Sequence, residues 1–151
     1  MYRMTFIVVT ALLMCASAVY AQTPVERLIA KYADVQGAKE MDAEGAKMPV
    51  ARIMIKQTPV ASIASQVEKV SVLKMGGASK QYRSLFLKEL GETLKSYDYI
   101  GLHDSKNGEV KIYILKSGPE TVKELVIYNP ELYVLNSLMG AFSMDDLQKL
   151  E

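Results

Sequence analysis

Residues 97–139 read YDYIGLHDSKNGEVKIYILKSGPETVKELVIYNPELYVLNSLM. Four β-branched, aromatic or aliphatic runs stand in this stretch: Tyr97–Asp104, Glu109–Lys116, Val122–Tyr128 and Leu132–Met139. The short connections between them carry Asn107-Gly108, Ser117-Gly118-Pro119 and Asn129-Pro130. These residues make turns, because Gly and Asn accept left-handed backbone and Pro fixes φ. Strands joined by so few residues have no room for a crossover, so they pair antiparallel. Hydrophobic matching then predicts the register of the first hairpin. A three-residue loop, Lys106-Asn107-Gly108, sets Leu102 opposite Ile112 and Ile100 opposite Ile114, whereas an Asn107-Gly108 loop sets apolar side chains over polar ones. In the favoured register the outer face carries Gly101 opposite Tyr113, His103 opposite Lys111 and Ser105 opposite Glu109.

Helical periods flank this run. On its N-terminal side Tyr82, Leu85, Phe86, Leu90 and Leu94 recur at three and four, with Ser79 placed to cap the helix. Before it, Val67–Met75 is a β-branched run that ends at Gly76-Gly77. Beyond the strands, Ser143 is an N-cap and Asp145-Asp146 complement the dipole of a last helix. Near the start, Thr23 caps a helix with Pro24 at its first position and Val25, Leu28, Ile29 and Tyr32 on one side. Residues 35–48 predict a short strand and turn around Gly37 and Gly45, and residues 50–65 a helix interrupted at Pro59. The expected fold class is α+β: a mostly antiparallel sheet of about five to six strands with two to four helices, the helices largely on one face.

The first 21 residues belong to a different class of sequence. One charge, Arg3, precedes the apolar run from Phe6 to Cys15, and Ala16-Ser17-Ala18-Val19-Tyr20-Ala21 follows. A positive start, a short apolar run and small residues three and one before the cut make a secretory signal peptide, predicted to be cleaved between Ala21 and Gln22. Thr5–Ala21 is shorter than the roughly 20 residues that span a bilayer and lacks a basic flank, so no transmembrane segment is expected in the mature chain. Lipidation at Cys15, with an outer-membrane lipoprotein as the outcome, is disfavoured because bulky Met14 sits just before the cysteine. The expected organisation is a signal peptide over residues 1–21 and one α+β domain over 22–151, placed in the periplasm or secreted.

The charge balance limits the chemistry. The chain has 18 Lys+Arg and 17 Asp+Glu; without Arg3 the two counts are equal, and neutralising a nucleic-acid backbone needs a basic excess. The mature chain also has no cysteine, so no disulfide and no thiol nucleophile. His103 is the only histidine, which removes zinc sites built on several imidazoles and leaves Asp104, on the opposite side of a strand, unable to orient it for serine hydrolysis. His103→Ala is expected to leave function intact. Asp42 with Glu44 lacks calcium-loop spacing, Asp145-Asp146 reads as a helix start, and Gly76-Gly77 reads as a strand-to-helix turn without Walker or dinucleotide spacing. No catalytic residue, metal site or cofactor is expected. Of the seven tyrosines after residue 21, Tyr99 and Tyr113 share the predicted outer face and form the candidate binding face.

The C-terminal residues Lys123–Tyr128, Tyr133–Phe142 and Met144–Leu150 resemble the end of the domain-of-unknown-function family numbered 4252, with its Glu-Leu-Val, Leu, Gly and Asp-Leu-x-x-Leu pattern. Leu28–Asp34 and the helix at Tyr82–Leu94 are also similar to that family, while residues 36–66 depart from it through Gly37, Gly45, Pro49 and Pro59. The resemblance implies a small exported α+β protein of Gram-negative bacteria and supplies no activity. The expected function is therefore a non-enzymatic exported module that binds an envelope protein or another envelope component, using sheet edges or the Tyr99/Tyr113 face. The alternative is a small-ligand or glycan binder, or a weak hydrolase using Asp/Glu alone, and it predicts a concave pocket lined by converging carboxylates or tyrosines.

Overall fold

The computed structural model describes residues 22–148 apart from Pro59, Lys106 and Asn107. Its elements are α1 (Pro24–Tyr32), β1 (Lys39–Glu44), α2 (Met48–Ile55), β2 (Val67–Lys74), α3 (Lys80–Thr93), β3 (Asp98–Ser105), β4 (Gly108–Lys116), β5 (Thr121–Asn129), β6 (Val134–Ser143) and α4 (Met144–Leu147). Short 3-10 segments cover Gly45–Lys47, Ala61–Gln66 and Leu94–Ser96. The expected caps form: Thr23 makes a reciprocal capping box with Glu26, and Ser79 and Ser143 accept the amides of Tyr82 and Asp146. The helix expected across residues 50–65 is divided into α2, which ends at Ile55, and the 3-10 segment that starts at Ala61; Pro59 lies outside the described residues.

All six strands form one antiparallel sheet in the order β1-β2-β6-β5-β4-β3. β3 to β6 are the expected meander. α3 carries the chain from β2 to the far edge, and β1 and β2 extend the sheet beyond β6. Both faces are covered in part. On the first face α1 and α3 pack Val25, Leu28, Ile29, Tyr32, Phe86 and Leu90 against Leu73, Val126, Tyr128 and Leu135. On the second face α2, the 61–66 segment and α4 pack Met48, Ile55, Ile63 and Leu147 against Ile114, Leu125, Leu138 and Phe142. The two longest helices thus share one face, and the short ones take the other. Phe86 sits edge-on to Tyr32 and Tyr128, with ring centroids 5.4 and 6.4 Å away.

The first hairpin adopts neither expected register. Ser105 pairs with Gly108, His103 with Val110 and Gly101 with Ile112; beyond a bulge at Ile100, Tyr99 pairs with Tyr113. Leu102 therefore lies opposite Lys111 and not Ile112, and Gly108 begins β4 with φ +105° instead of closing the loop. His103 shares a face with Val110 and Ile112, contrary to the expected pairing with Lys111. The physical reason is that β3 is an edge strand. Ile112 and Ile114 bury themselves through the β5 side and the second-face core, so β4 needs no apolar match from β3. Ile100 and Leu102 remain exposed instead.

Gly37 has φ +89° and lies against Gly77, where an added Cβ would stand 2.1 Å from the Gly77 carbonyl oxygen. The turn after α1 and the turn before α3 are pressed together there, and only glycine fits both the left-handed backbone and the gap.

Candidate functional site

A groove of about 1150 Å³ opens on the second face, where α2 and the 61–66 segment stop short of covering the sheet. Antiparallel register assembles its floor in two rows. Val72, Asn136, Ile127 and Ile112 lie side by side on β2, β6, β5 and β4, and Lys74, Val134, Asn129 and Val110 form the row beyond them. Leu138, Ile55 and Val60 close the end beneath α2. Val50 and Met54 of α2 and Met41 of β1 stand on the rim, more than half exposed.

The walls are mostly aliphatic or thioether, with Gln57 and Thr58 beyond the end of α2, and among the described residues no aromatic ring lines the groove. The two floor amides each make hydrogen bonds within the fold. Asn136 Nδ2 donates to the Ile127 carbonyl at 3.3 Å, and Asn129 Oδ1 accepts the amides of Glu131 and Leu132 at 3.0 and 3.1 Å. A ligand in the groove thus meets mainly apolar surface. The charged lining residues are Asp42, Lys47, Asp104 and, at the end of the floor's second row, Lys74. The Asp42 carboxyl is hydrogen-bonded to Glu40, whose pKa it holds above the usual carboxylate range. Lys47 and Lys74 have no acidic partner among the described residues. α2 is held in place by Arg52, whose Nη2 donates to the Val67 carbonyl at 3.0 Å.

The opposite face holds a buried carboxylate that sequence reasoning missed. Glu124 of β5 is fully buried, and three hydroxyls converge on it. Thr23 Oγ1 and Ser137 Oγ donate to Oε2 at 2.7 and 2.5 Å, and the Tyr97 hydroxyl donates to Oε1. Tyr97 in turn accepts the Val25 amide at 3.1 Å, so the cluster ties the start of α1 to the sheet. Burial pushes the Glu124 carboxyl above its ordinary pKa, and the three hydroxyls pull it back in part. A signal was available: by period two Glu124 shares a side with Val126 and Tyr128, where a charge is out of pattern. Sealed from solvent and on the other side of the sheet, the carboxylate has no access to the groove.

The other singled-out residues are placed plainly. Tyr99 and Tyr113 do come together, as a direct cross-strand pair with centroids 5.2 Å apart, on the first face beside the β3 edge. Tyr99 is exposed, while Tyr113 is half-buried against the core, and burial followed by the neighbouring Tyr99 raises its pKa. His103 is partly exposed and absent from the groove lining. Asp146 accepts from Gln66 Nε2 at 2.9 Å, Gly76-Gly77 form the turn from β2 towards α3, and Asp42 and Glu44 lie along β1. Gln22 is described and exposed. Ala21, Cys15 and the rest of the signal-like segment lie outside the described residues. Among the described residues no helix is long and apolar enough to cross a membrane, and no cluster of acidic, His or Cys side chains is arranged to hold a metal.

These features define an α+β protein with a six-stranded antiparallel sheet and a preformed aliphatic groove on one face. The chain belongs to the family described as Domain of unknown function (DUF4252), whose family model matches residues 38–150, from just before β1 through α4. The resemblance read in the C-terminal strands and helix is borne out. No curated protein and no solved structure matches the chain.

Proposed function

We propose that the chain is an exported, non-enzymatic module of the periplasm or the secreted fraction that binds an apolar envelope component in the groove of the second face. The observation that carries this reading is the preformed, mainly aliphatic groove. Residues 1–21 support export. Processing is checked by intact mass: the mature protein is expected to begin at Gln22 with no acyl modification, and a mass carrying lipid on Cys15 would refute this.

The competing chemistries fit the groove less well. Glycan sites use ring stacking together with free hydrogen-bonding groups. Among the described residues this groove has no ring, and both floor amides already make hydrogen bonds within the fold. Its two carboxylates, Asp42 and Asp104, stand on β1 and β3, the opposite edges of the sheet. Five inter-strand spacings separate those edges, roughly 24 Å along the sheet. Paired carboxylates in glycoside hydrolysis work at roughly 5–9.5 Å. The Tyr99/Tyr113 pair at the β3 edge is a second, smaller contact surface for a partner.

Titration with the apolar dye 1-anilinonaphthalene-8-sulfonate tests the groove. Saturable binding at one site is expected, weakened tenfold or more by Met54→Glu. Because Met54 is 59% exposed, that substitution leaves the fold intact. Undiminished dye binding by the variant would remove the groove from the proposal.

A further inference from the structure

The groove's shape and rim charges select its ligand more narrowly, and this step rests on the reading of the groove as the binding site. We infer that it takes a single alkyl chain with an anionic head, a long-chain fatty carboxylate, with the tail beneath α2 and the head at Lys74.

Depth is the first argument. Val60, Leu138, Ile112 and Ile55 line the groove and yet are only 2%, 3%, 5% and 7% exposed, so its deepest lining is hydrocarbon that an alkyl chain can lie against. A second copy of the protein is a poor occupant, since stable dimers need about 800 Å² of complementary surface from each partner and the groove offers far less apolar surface than that.

Direction is the second argument. Along β2 the floor runs from Val70, under α2, to Lys74 at the open end, a distance of roughly 13 Å at strand rise. Leu138, Ile55, Val60 and Val70 cluster at the α2 end of the lining, which suits a methyl terminus. Charge complementarity supplies the third argument. Lys74 has no acidic partner among the described residues and stands at the mouth beside Val134 and Leu132. Lys47, at the rim near the start of α2, is likewise unpaired. Asp42 is occupied by Glu40, and Asp104 lies at the far edge. The free charge nearest the mouth is therefore cationic, and it asks for a carboxylate.

The test uses the full chain as expressed and processed by a bacterial host, with calorimetric titration of sodium dodecanoate, hexadecanoate and butanoate. One equivalent of either long acid is expected to bind and displace the naphthalene dye, with butanoate at least a hundredfold weaker. Lys74→Glu is expected to weaken dodecanoate tenfold or more while improving dodecyltrimethylammonium, and Met54→Glu to weaken both amphiphiles. Equal binding of the anionic and cationic amphiphiles, unaltered by Lys74→Glu, would overturn the anionic head. Binding of an amphipathic helical peptide or of phosphatidylglycerol vesicles in place of dodecanoate would overturn the ligand class while leaving the groove as the site. Loss of dye binding and amphiphile binding alike would take the groove reading down as well.

Discussion

Glu124→Ala is expected to lower the free energy of unfolding by about 2–4 kcal/mol, through the buried hydroxyls it leaves without an acceptor and the void it opens. The carboxylate is the shared acceptor for Thr23, Tyr97 and Ser137, so its removal leaves three buried hydroxyls without their acceptor and a void beneath the start of α1. An unsatisfied buried group costs about 1–3 kcal/mol, and a domain of this kind has only about 5–15 kcal/mol in total. Urea denaturation followed by circular dichroism measures the loss; a change below 1 kcal/mol would show that the cluster does not hold α1. Glu124→Gln keeps the volume and one acceptor oxygen, so its loss is smaller, about 1–2 kcal/mol. The glutamine variant also exposes a pH dependence. In the folded state burial raises the Glu124 pKa above its unfolded value. The protonated form is thus favoured by folding, and its contribution is fully present below the unfolded pKa and lost as pH rises through the folded one. The stability of the native protein relative to Glu124→Gln is expected to fall as pH rises above the ordinary carboxylate range. A difference that grows with pH would contradict the direction.

Phe86→Ala is the second large effect, about 3–5 kcal/mol from lost transfer energy and the cavity left behind. Phe86 has no solvent exposure, and its edge-on contacts with Tyr32 and Tyr128 join α3, α1 and β5 at one point. Each aromatic pair adds roughly 0.5–1.5 kcal/mol to the area term. Leu85→Ala on the same helix is the control: Leu85 is 45% exposed, and a change within about 0.5 kcal/mol is expected. Similar thermal unfolding of the two variants would mean that α3 is not anchored through Phe86.

The elements that local chemistry specifies were legible in the sequence. Thr23-Pro24, Ser79 and Ser143 begin their helices as their side chains dictate, and the turns at Ser117-Gly118-Pro119 and Asn129-Pro130 bound β5 as read. Pairing across the sheet was not legible in the same way. Hydrophobic matching assumed that Leu102 and Ile100 needed partners, but β3 is an edge and leaves both in solvent. β1 and β2 join the sheet beside β6, a neighbour that no short connection reveals. The groove was hidden for a related reason. Val72, Ile112, Ile127 and Val134 each read as ordinary strand residues, and only their alignment across four strands, with α2 stopping short above them, makes a cavity. Glu124 left a trace as a charge on an apolar side of its strand, whereas its partners Thr23, Tyr97 and Ser137 come from places that periodicity does not connect.

The strand order also dictates an order of assembly. β3 to β6 close over connections of two to four residues, but β2 reaches β6 only when Val70 meets Leu138, 68 positions later (138 minus 70). Closing a loop of that length instead of a four-residue turn costs roughly 2.5 kcal/mol of additional chain entropy. The meander therefore forms first, and folding waits on the docking of β2. During that interval β6 presents an unpaired edge carrying Leu135, Leu138 and Phe142, a template on which another chain would pair. Once β2 is seated, the exposed edge passes to β1, where Lys39, Glu40, Asp42 and Glu44 make further strand addition unfavourable. The charged sixth strand is thus a guard on the finished sheet, and the period of greatest danger for this protein is the one before that guard arrives.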